Sequence, residues 1–264
     1  MDLKELQDTW DRFGRKDPLW AIISTPEKKG NKWQLDEFFE TGVSEISAVM
    51  RFAAGLKLPV HHRKALDFGC GVGRLTQALA NHFDEVVGLD IAPSMLRLAD
   101  KHNQQPARCK YLLNRTSDLR MFADNTFDFI YTNMVLQHMR PDYAKSYIVE
   151  FLRVLNPNGL LVFQLPSERV DRPGRPISRI PEAAVKTDTS MLRRIKTLAK
   201  QVIPDRLLTF YRDRTSEPTM QMYCVPAEEV EALLHANAAR IVDIAADDFA
   251  KPLCRGFRYA VTKQ

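Results

Sequence analysis

Cysteine is scarce in this 264-residue chain: Cys70, Cys109, Cys224 and Cys254 lie far apart in sequence, and no two form a Cys-x-x-Cys pair. Neither a sequence-spaced zinc site nor a disulfide framework is indicated. No stretch approaches the ~18 consecutive apolar residues that a membrane-spanning helix needs. The opening MDLKELQDTWDRFGRKD is charged and lacks the apolar core of a signal peptide, so a cytoplasmic protein is expected. There is no internal repeat and no low-complexity tract. Neither sign of charge dominates: 38 Lys and Arg stand against 33 Asp and Glu, a net charge of +5. That excess permits an anionic partner without requiring one. What remains, 45% hydrophobic and 27% charged residues, is the make-up of a globular chain long enough to bury a full core.

Glycine is also sparse, with 11 in the chain, yet three fall at alternate positions: Gly69, Gly71 and Gly73. They follow a short apolar run, Ala65-Leu66-Asp67-Phe68, which reads as a buried strand. Behind them Leu75, Ala78, Leu79 and Phe83 recur at helical spacing. A strand passing through such a turn into a helix lets a ligand lie against the main chain and face the helix start. The dinucleotide fingerprint Gly-x-Gly-x-x-Gly would need glycine at position 74, where Arg74 stands.

The chain then alternates. Glu85 to Asp90 reads as a second buried strand ending in an acid, and Pro93 opens a helix containing Met95, Leu98 and Ala99. Cys109 to Leu113 is a third strand and Phe127 to Tyr131 a fourth. A helix follows, with Tyr147, Ile148, Phe151, Leu152 and Leu155 on one face, stopped by Asn156-Pro157-Asn158-Gly159 before a fifth strand, Leu160 to Leu165. The pattern is interrupted from Pro166 to about Met220. It resumes with a helix at Ala227 to Ala238 and two strands, Ile241 to Ile244 and Phe257 to Val261. This predicts an α/β fold: a Rossmann-like, seven-stranded, mostly parallel doubly wound sheet with ligands at the carboxyl ends of its strands. The expected divisions are an N-terminal helical cap over 1–62, a core over 63–165, an insertion over 166–220 and a C-terminal part of the core over 221–264. In the cap, Trp20, Trp33, Phe38 and Phe39 read first as packing residues, and Gly42 as a break in a helix running from Leu35 to Met50. The adjacent His61 and His62 read as solvated loop residues, with no third metal ligand nearby.

Alternating glycines with Asp67 two residues ahead, Asp90 at the end of strand two, and Asn133-Met134-Val135-Leu136-Gln137-His138 after strand four resemble the class I S-adenosylmethionine-dependent methyltransferases. The segment after strand four is similar to that of small-molecule methyltransferases of ubiquinone and menaquinone biosynthesis. The resemblance covers about residues 64 to 165. It implies S-adenosyl-L-methionine as cofactor, with Asp67, Gly69, Cys70, Gly71 and Gly73 around the glycine turn. It also implies Asp90 and Ile91 at the ribose, Asn133 and Val135 by the methionine moiety, and N-terminal helices that often cover the cleft. The adenine contact is expected from Ser117 and Asp118, although Asn114 or Arg115 occupies the position where the family often has an acid. His138 falls at the methyl-transfer region, where an unperturbed imidazole with pKa ~6.5 could accept the acceptor's proton or simply shape the pocket.

An Asp/Asn-Pro-Pro-Tyr motif after strand four is absent, and no cysteine follows a proline, so the base-modifying groups that use those signatures are disfavoured. A small-molecule acceptor is expected, by O-methylation in glycan or secondary-metabolite biosynthesis. N-methylation of a small amine or an RNA base, or a non-catalytic cofactor-binding scaffold, are the alternatives. In the insertion Arg193, Arg194, Lys196, Lys200, Arg206, Arg212 and Arg214 outnumber Asp205 and Asp213. Such a stretch suits an anionic membrane surface or a phosphorylated or lipid-linked acceptor, or, more plainly, a solvated cap helix.

Overall fold

The computed structural model describes residues 1–170, 177–178, 218, 220–250 and 253–263. The basic residues of the insertion, Arg193 to Arg214, lie outside them.

Seven strands form one sheet: β1 (Lys64–Phe68), β2 (Glu85–Asp90), β3 (Cys109–Leu113), β4 (Phe127–Thr132), β5 (Leu155–Arg169), β6 (Ala239–Asp247) and β7 (Cys254–Lys263). Their order is β3-β2-β1-β4-β5-β7-β6. The first five are parallel, and β7 runs antiparallel between β5 and β6. The expected strand positions hold, with the fifth and the last two longer at both ends than the apolar runs suggest. Backbone pairing extends past the buried stretch into the exposed residues that flank it.

Strand alternation divides the core between two faces. Leu66, Val87, Ile130, Leu161 and Phe163 point to one face and pack with Tyr147, Phe151, Val230 and Leu234. These come from helices α6 (Pro141–Val154) and α7 (Ala227–Ala236). Ala65, Val86, Phe129, Leu160 and Val162 point the other way, against Ile46, Val49, Leu75 and Leu79. Those belong to α3 (Leu35–Gly55) and α4 (Arg74–Leu79). Each fully buried Leu, Ile, Val or Phe among these contributes about 1.5–3 kcal/mol.

Before β1, α1 (Leu3–Lys16) starts in a capping box, where the Asp2 carboxylate accepts from the Glu5 amide and Glu5 returns the bond. The short α2 (Pro18–Ile22) follows. Helix α1 is fastened to α5 (Pro93–Lys101), because Asp11 accepts from the Ser94 amide and hydroxyl. Gly14 makes the approach feasible: a Cβ there would stand 2.3 Å from the Ser94 hydroxyl. Gly42 does not break α3. A Cβ on it would lie 2.5 Å from the Arg74 carbonyl oxygen, so this glycine is where α3 lies directly against α4.

Candidate active site

The sheet order reverses between β1 and β4, the switch point where open α/β sheets place their ligands. A cavity of about 1110 Å³ opens there, walled by the glycine turn, the loops after β2 and β4, the N-terminal helices and the tip of the β6–β7 hairpin. It exceeds the ~300–1,000 Å³ usual for a single small-ligand pocket, which leaves room for two molecules side by side.

The glycine turn is held by protein as well as shaped for a ligand. Gly69, Gly71 and Gly73 all have positive φ, at 79°, 54° and 83°. A Cβ would meet the Val135 side chain at 2.4 Å from Gly69, Ile22 at 2.6 Å from Gly71 and the Tyr111 hydroxyl at 2.3 Å from Gly73. Asp90 fixes the same turn from β2: one carboxylate oxygen accepts from the Gly71 amide and the other from the Ala92 amide, both at 2.8 Å. Burial raises the Asp90 pKa, and the Ala92 and Gly71 amides oppose that rise. Asp90 also lines the cavity.

Of the residues expected at the cofactor, Gly69, Cys70, Gly71, Asp90, Ile91, Asn133 and Val135 line this cavity, and so does His138, the expected catalytic residue. Asp67 and Gly73 stand behind the turn. Asp67 accepts from the Thr76 hydroxyl of α4 at 2.6 Å, and burial pushes its pKa up to about 7. Ser117 and Asp118 are not brought to the wall. Asp118 pairs at the surface with Arg120, and the Ser117 carbonyl accepts from Ser146. From that loop the cavity is met by Asn114, whose amide donates to the Asp118 carbonyl and the Tyr147 hydroxyl.

His138 is buried, with its ring edge-to-face with Trp10 at 5.1 Å. Its Nδ1 lies 2.9 Å from the Gln221 carbonyl. A carbonyl only accepts, so Nδ1 carries the proton and the Nε2 lone pair stands 3.3 Å from the Gln137 side-chain nitrogen. Desolvation lowers its pKa to about 4, opposed by the Gln221 bond. The ring is therefore neutral at physiological pH.

Several wall residues were not legible as site residues. Trp10 comes from α1 and Trp33 from the turn before α3, and both line the cavity. Trp20, Phe38 and Phe39 pack together in a cluster of the N-terminal cap. Met134 has φ of 58°, a strained conformation for a side-chain-bearing residue, directly after β4. Glu45 and Arg74 form an ion pair at 2.7 Å in the wall. In the sequence Glu45 is only an acid beside the apolar stripe Phe38, Gly42, Ile46 and Val49 of α3, as on any amphipathic helix. Among the described residues no group of three metal-ligating side chains occurs, and no helix is long and apolar enough to cross a membrane.

A strand order of 3-2-1-4-5-7-6, with a glycine turn after β1 and an acid ending β2, defines the class I methyltransferase fold. Residues 66–163 match the methyltransferase domain family, and the fold is that of the class I S-adenosylmethionine-dependent methyltransferases. Magnesium protoporphyrin IX methyltransferase from Synechocystis, solved with bound S-adenosylhomocysteine, superimposes over 100% of both chains with a TM-score of 0.58 at 15% identity. The ubiquinone biosynthesis O-methyltransferase of Cereibacter sphaeroides is 30% identical over 153 residues, 58% of this chain and 56% of that one. The demethylmenaquinone methyltransferase of Lactiplantibacillus plantarum is 38% identical over 113 residues, 41% of this chain and 46% of that one. The chain thus spans about half the length of these curated relatives.

Proposed function

We propose that this protein is an S-adenosylmethionine-dependent methyltransferase acting on a small molecule. The observation that carries this reading is the convergence of Gly69, Gly71, Asp90 and Asn133, from the ends of three neighbouring parallel strands, on one cavity at the switch point. The donor set suits the cofactor. Asp90 offers a carboxylate for ribose hydroxyls, the turn offers bare backbone, and Asn114 and Ile91 line the way towards an adenine site. When bound, the cofactor supplies an electrophilic methyl group on a sulfonium, open to in-line displacement by a held nucleophile.

The other end of the cavity has a different character. Leu3, Leu6, Trp10, Met220, Met222 and Leu253 line the same cavity away from the strand ends, together with His138, and we assign them to the acceptor. We favour a largely apolar acceptor bearing a hydroxyl, of the phenol or hydroquinone kind, methylated on oxygen. The quinone-pathway names of the relatives support that class, whereas a glycan would want more hydrogen-bonding side chains than these residues offer. The N-terminal helices, with Met220 and Met222, would enclose the acceptor. His138 would receive the acceptor hydroxyl proton at Nε2 once that hydroxyl displaces the Gln137 side-chain nitrogen from the lone pair, with the tautomer set by Gln221 and the ring held by Trp10. As a weak base it works by accepting a hydrogen bond that strengthens as the new bond forms, rather than by ionising the acceptor beforehand.

The test is calorimetric binding of S-adenosylhomocysteine, followed by transfer of labelled methyl from S-adenosylmethionine to a panel of hydroquinones, phenols, sugars and amines. Binding with transfer to the phenolic members is expected. Absence of cofactor binding would sink the whole reading, and binding with transfer only to sugars or amines would sink the acceptor class.

A further inference from the structure

Cys224 and Cys254 belong to segments that meet only in the folded chain. Cys254 opens β7, is fully buried and pairs in the sheet with Arg169 at the end of β5. Cys224 is half-buried on a strap over residues 220–225, which leads into α7. Two backbone bonds dock that strap: the Tyr223 amide donates to the Gln137 carbonyl at 2.7 Å, and the Val225 amide to the Pro166 carbonyl at 2.9 Å. The two sulfurs are thereby brought to 3.5 Å, with the Cys224 thiol donating to the Cys254 sulfur. A disulfide bond is about 2.05 Å long, so the sulfurs need to close by about 1.5 Å, a distance that side-chain rotation and a small movement of the strap supply.

The surroundings give this pair a consequence. Met222, Ala250 and Leu253 pack around it, and the same three residues line the cavity. The strap also carries the Gln221 carbonyl that holds His138 Nδ1. A bond between the sulfurs would draw the strap onto the β6–β7 hairpin, and with it the wall assigned to the acceptor. The glycine turn and Asp90 belong to neither segment.

We propose that Cys224 and Cys254 are a reversible modification site, a dithiol that a small disulfide converts to an intramolecular bond, pinning the strap and narrowing the acceptor end. Oxidation runs by exchange. The Cys224 thiolate, the more accessible of the two, attacks one sulfur of oxidised glutathione and expels a glutathione thiolate. The Cys254 thiolate then attacks the Cys224 sulfur of the mixed disulfide, forming the protein bond and expelling the second glutathione. Two protein thiols and one disulfide become one protein disulfide and two glutathione thiols. The hydrogen bond to Cys254 and desolvation hold the Cys224 pKa above its usual value, against the pull of Arg169, so exchange is slow at neutral pH.

The test uses the full chain, incubated with oxidised glutathione at mildly alkaline pH, quenched in acid, unfolded and alkylated with iodoacetamide. The untreated chain is expected to take up alkyl groups on all four cysteines. The treated chain should take them up on Cys70 and Cys109 only, with one cross-linked peptide joining Cys224 to Cys254, and dithiothreitol should restore all four. Alkylation of all four after treatment, glutathione left on Cys224, or a link between another pair would overturn the proposal. A second arm rests on the acceptor assignment above: oxidation is expected to lower methyl transfer to a phenolic acceptor at least about fivefold, with S-adenosylhomocysteine affinity within about twofold. Cys224→Ser, treated the same way, should form no cross-link and keep its transfer rate; should it fail to fold, the wild-type peptide map and dithiothreitol reversal decide. A bond formed with transfer unchanged, or with cofactor affinity falling as far as transfer, overturns the narrowing of the acceptor end. No transfer in either state, with the cross-link formed, overturns the acceptor reading and upholds the modification site.

Discussion

The two ends of the cavity are built differently. The proposed cofactor end is assembled mainly from residues next to one another in sequence, where β1, β2 and β4 stop: Gly69 to Gly71, Asp90 with Ile91, and Asn133 with Val135. The proposed acceptor end draws Leu3 and Trp10 from the N-terminus, Met220 and Met222 from the far side of the insertion and Leu253 from beside β7. A parallel sheet fixes the first arrangement, because strand ends in register present their loops together. The second depends on how outlying segments dock. The cofactor end should therefore be rigid and sensitive to single-atom changes, and the acceptor end tolerant and tunable.

Substitution of Gly69 should separate the two ends most sharply. In Gly69→Val, positive φ and the contact with Val135 combine, and loss of measurable S-adenosylhomocysteine binding by calorimetry is the expected outcome, the domain still folding by circular dichroism. Retained affinity would mean that the turn yields and the rigid reading is wrong.

Behind the same turn, Asp67 makes a pH prediction. Its folded pKa of about 7 lies above an unfolded value near 3.8, so its contribution to stability is fully present below pH ~4 and is lost as pH rises through 7. Asp67→Asn keeps an acceptor for Thr76 without the charge. Measured by denaturant titration without cofactor, it should be more stable than the wild type at pH 8 by on the order of 3 kcal/mol and nearly equal at pH 4. A gain that does not vary with pH would show that Asp67 ionises freely in the fold.

His138 gives the opposite sign. A folded pKa of about 4 against 6.5 unfolded means stability is present above pH 6.5 and lost as pH falls towards 4. Between pH 7 and pH 5 the wild type should lose on the order of 2 kcal/mol more than His138→Gln in the same titration. Equal losses would place the ring in contact with water.

The smallest effect belongs to the acceptor end. Trp10→Ala removes the ring that borders His138. The acceptor KM is expected to rise about tenfold while S-adenosylhomocysteine affinity moves less than about threefold. If the cofactor Kd moved as much as the KM, the two ends would not be separable.

Much of the fold could be read from the chain, because buried parallel strands write themselves as short apolar runs and the helices between them as apolar residues at helical spacing. Alternation within the strands did more than mark them: Leu66 beside Ala65, and Val87 beside Val86, decide which helices each face carries. Asn114 and Asp118 mark where reading failed. Both stand in one polar loop, and nothing in the sequence says that Asn114 turns inward to Tyr147 while Asp118 turns outward to Arg120. Glu45 failed for a related reason: its partners Arg74, Tyr131 and Asn133 are 29, 86 and 88 residues away. Cys224 and Cys254, 30 residues apart, likewise come together with their sulfurs at 3.5 Å.

By itself, the sequence determined the strand-turn-helix that opens the domain, the acid that ends β2 and the alternation that makes a sheet covered on both faces. These are local properties, set by backbone freedom at glycine and by the period of apolar residues. The tertiary structure alone decided that α1 and α3 reach the cavity, that Ile22 closes on the glycine turn, that His138 is a neutral ring with a fixed tautomer, and that Glu45 meets Arg74. Each depends on contacts between segments distant in the chain, and on the desolvation those contacts impose.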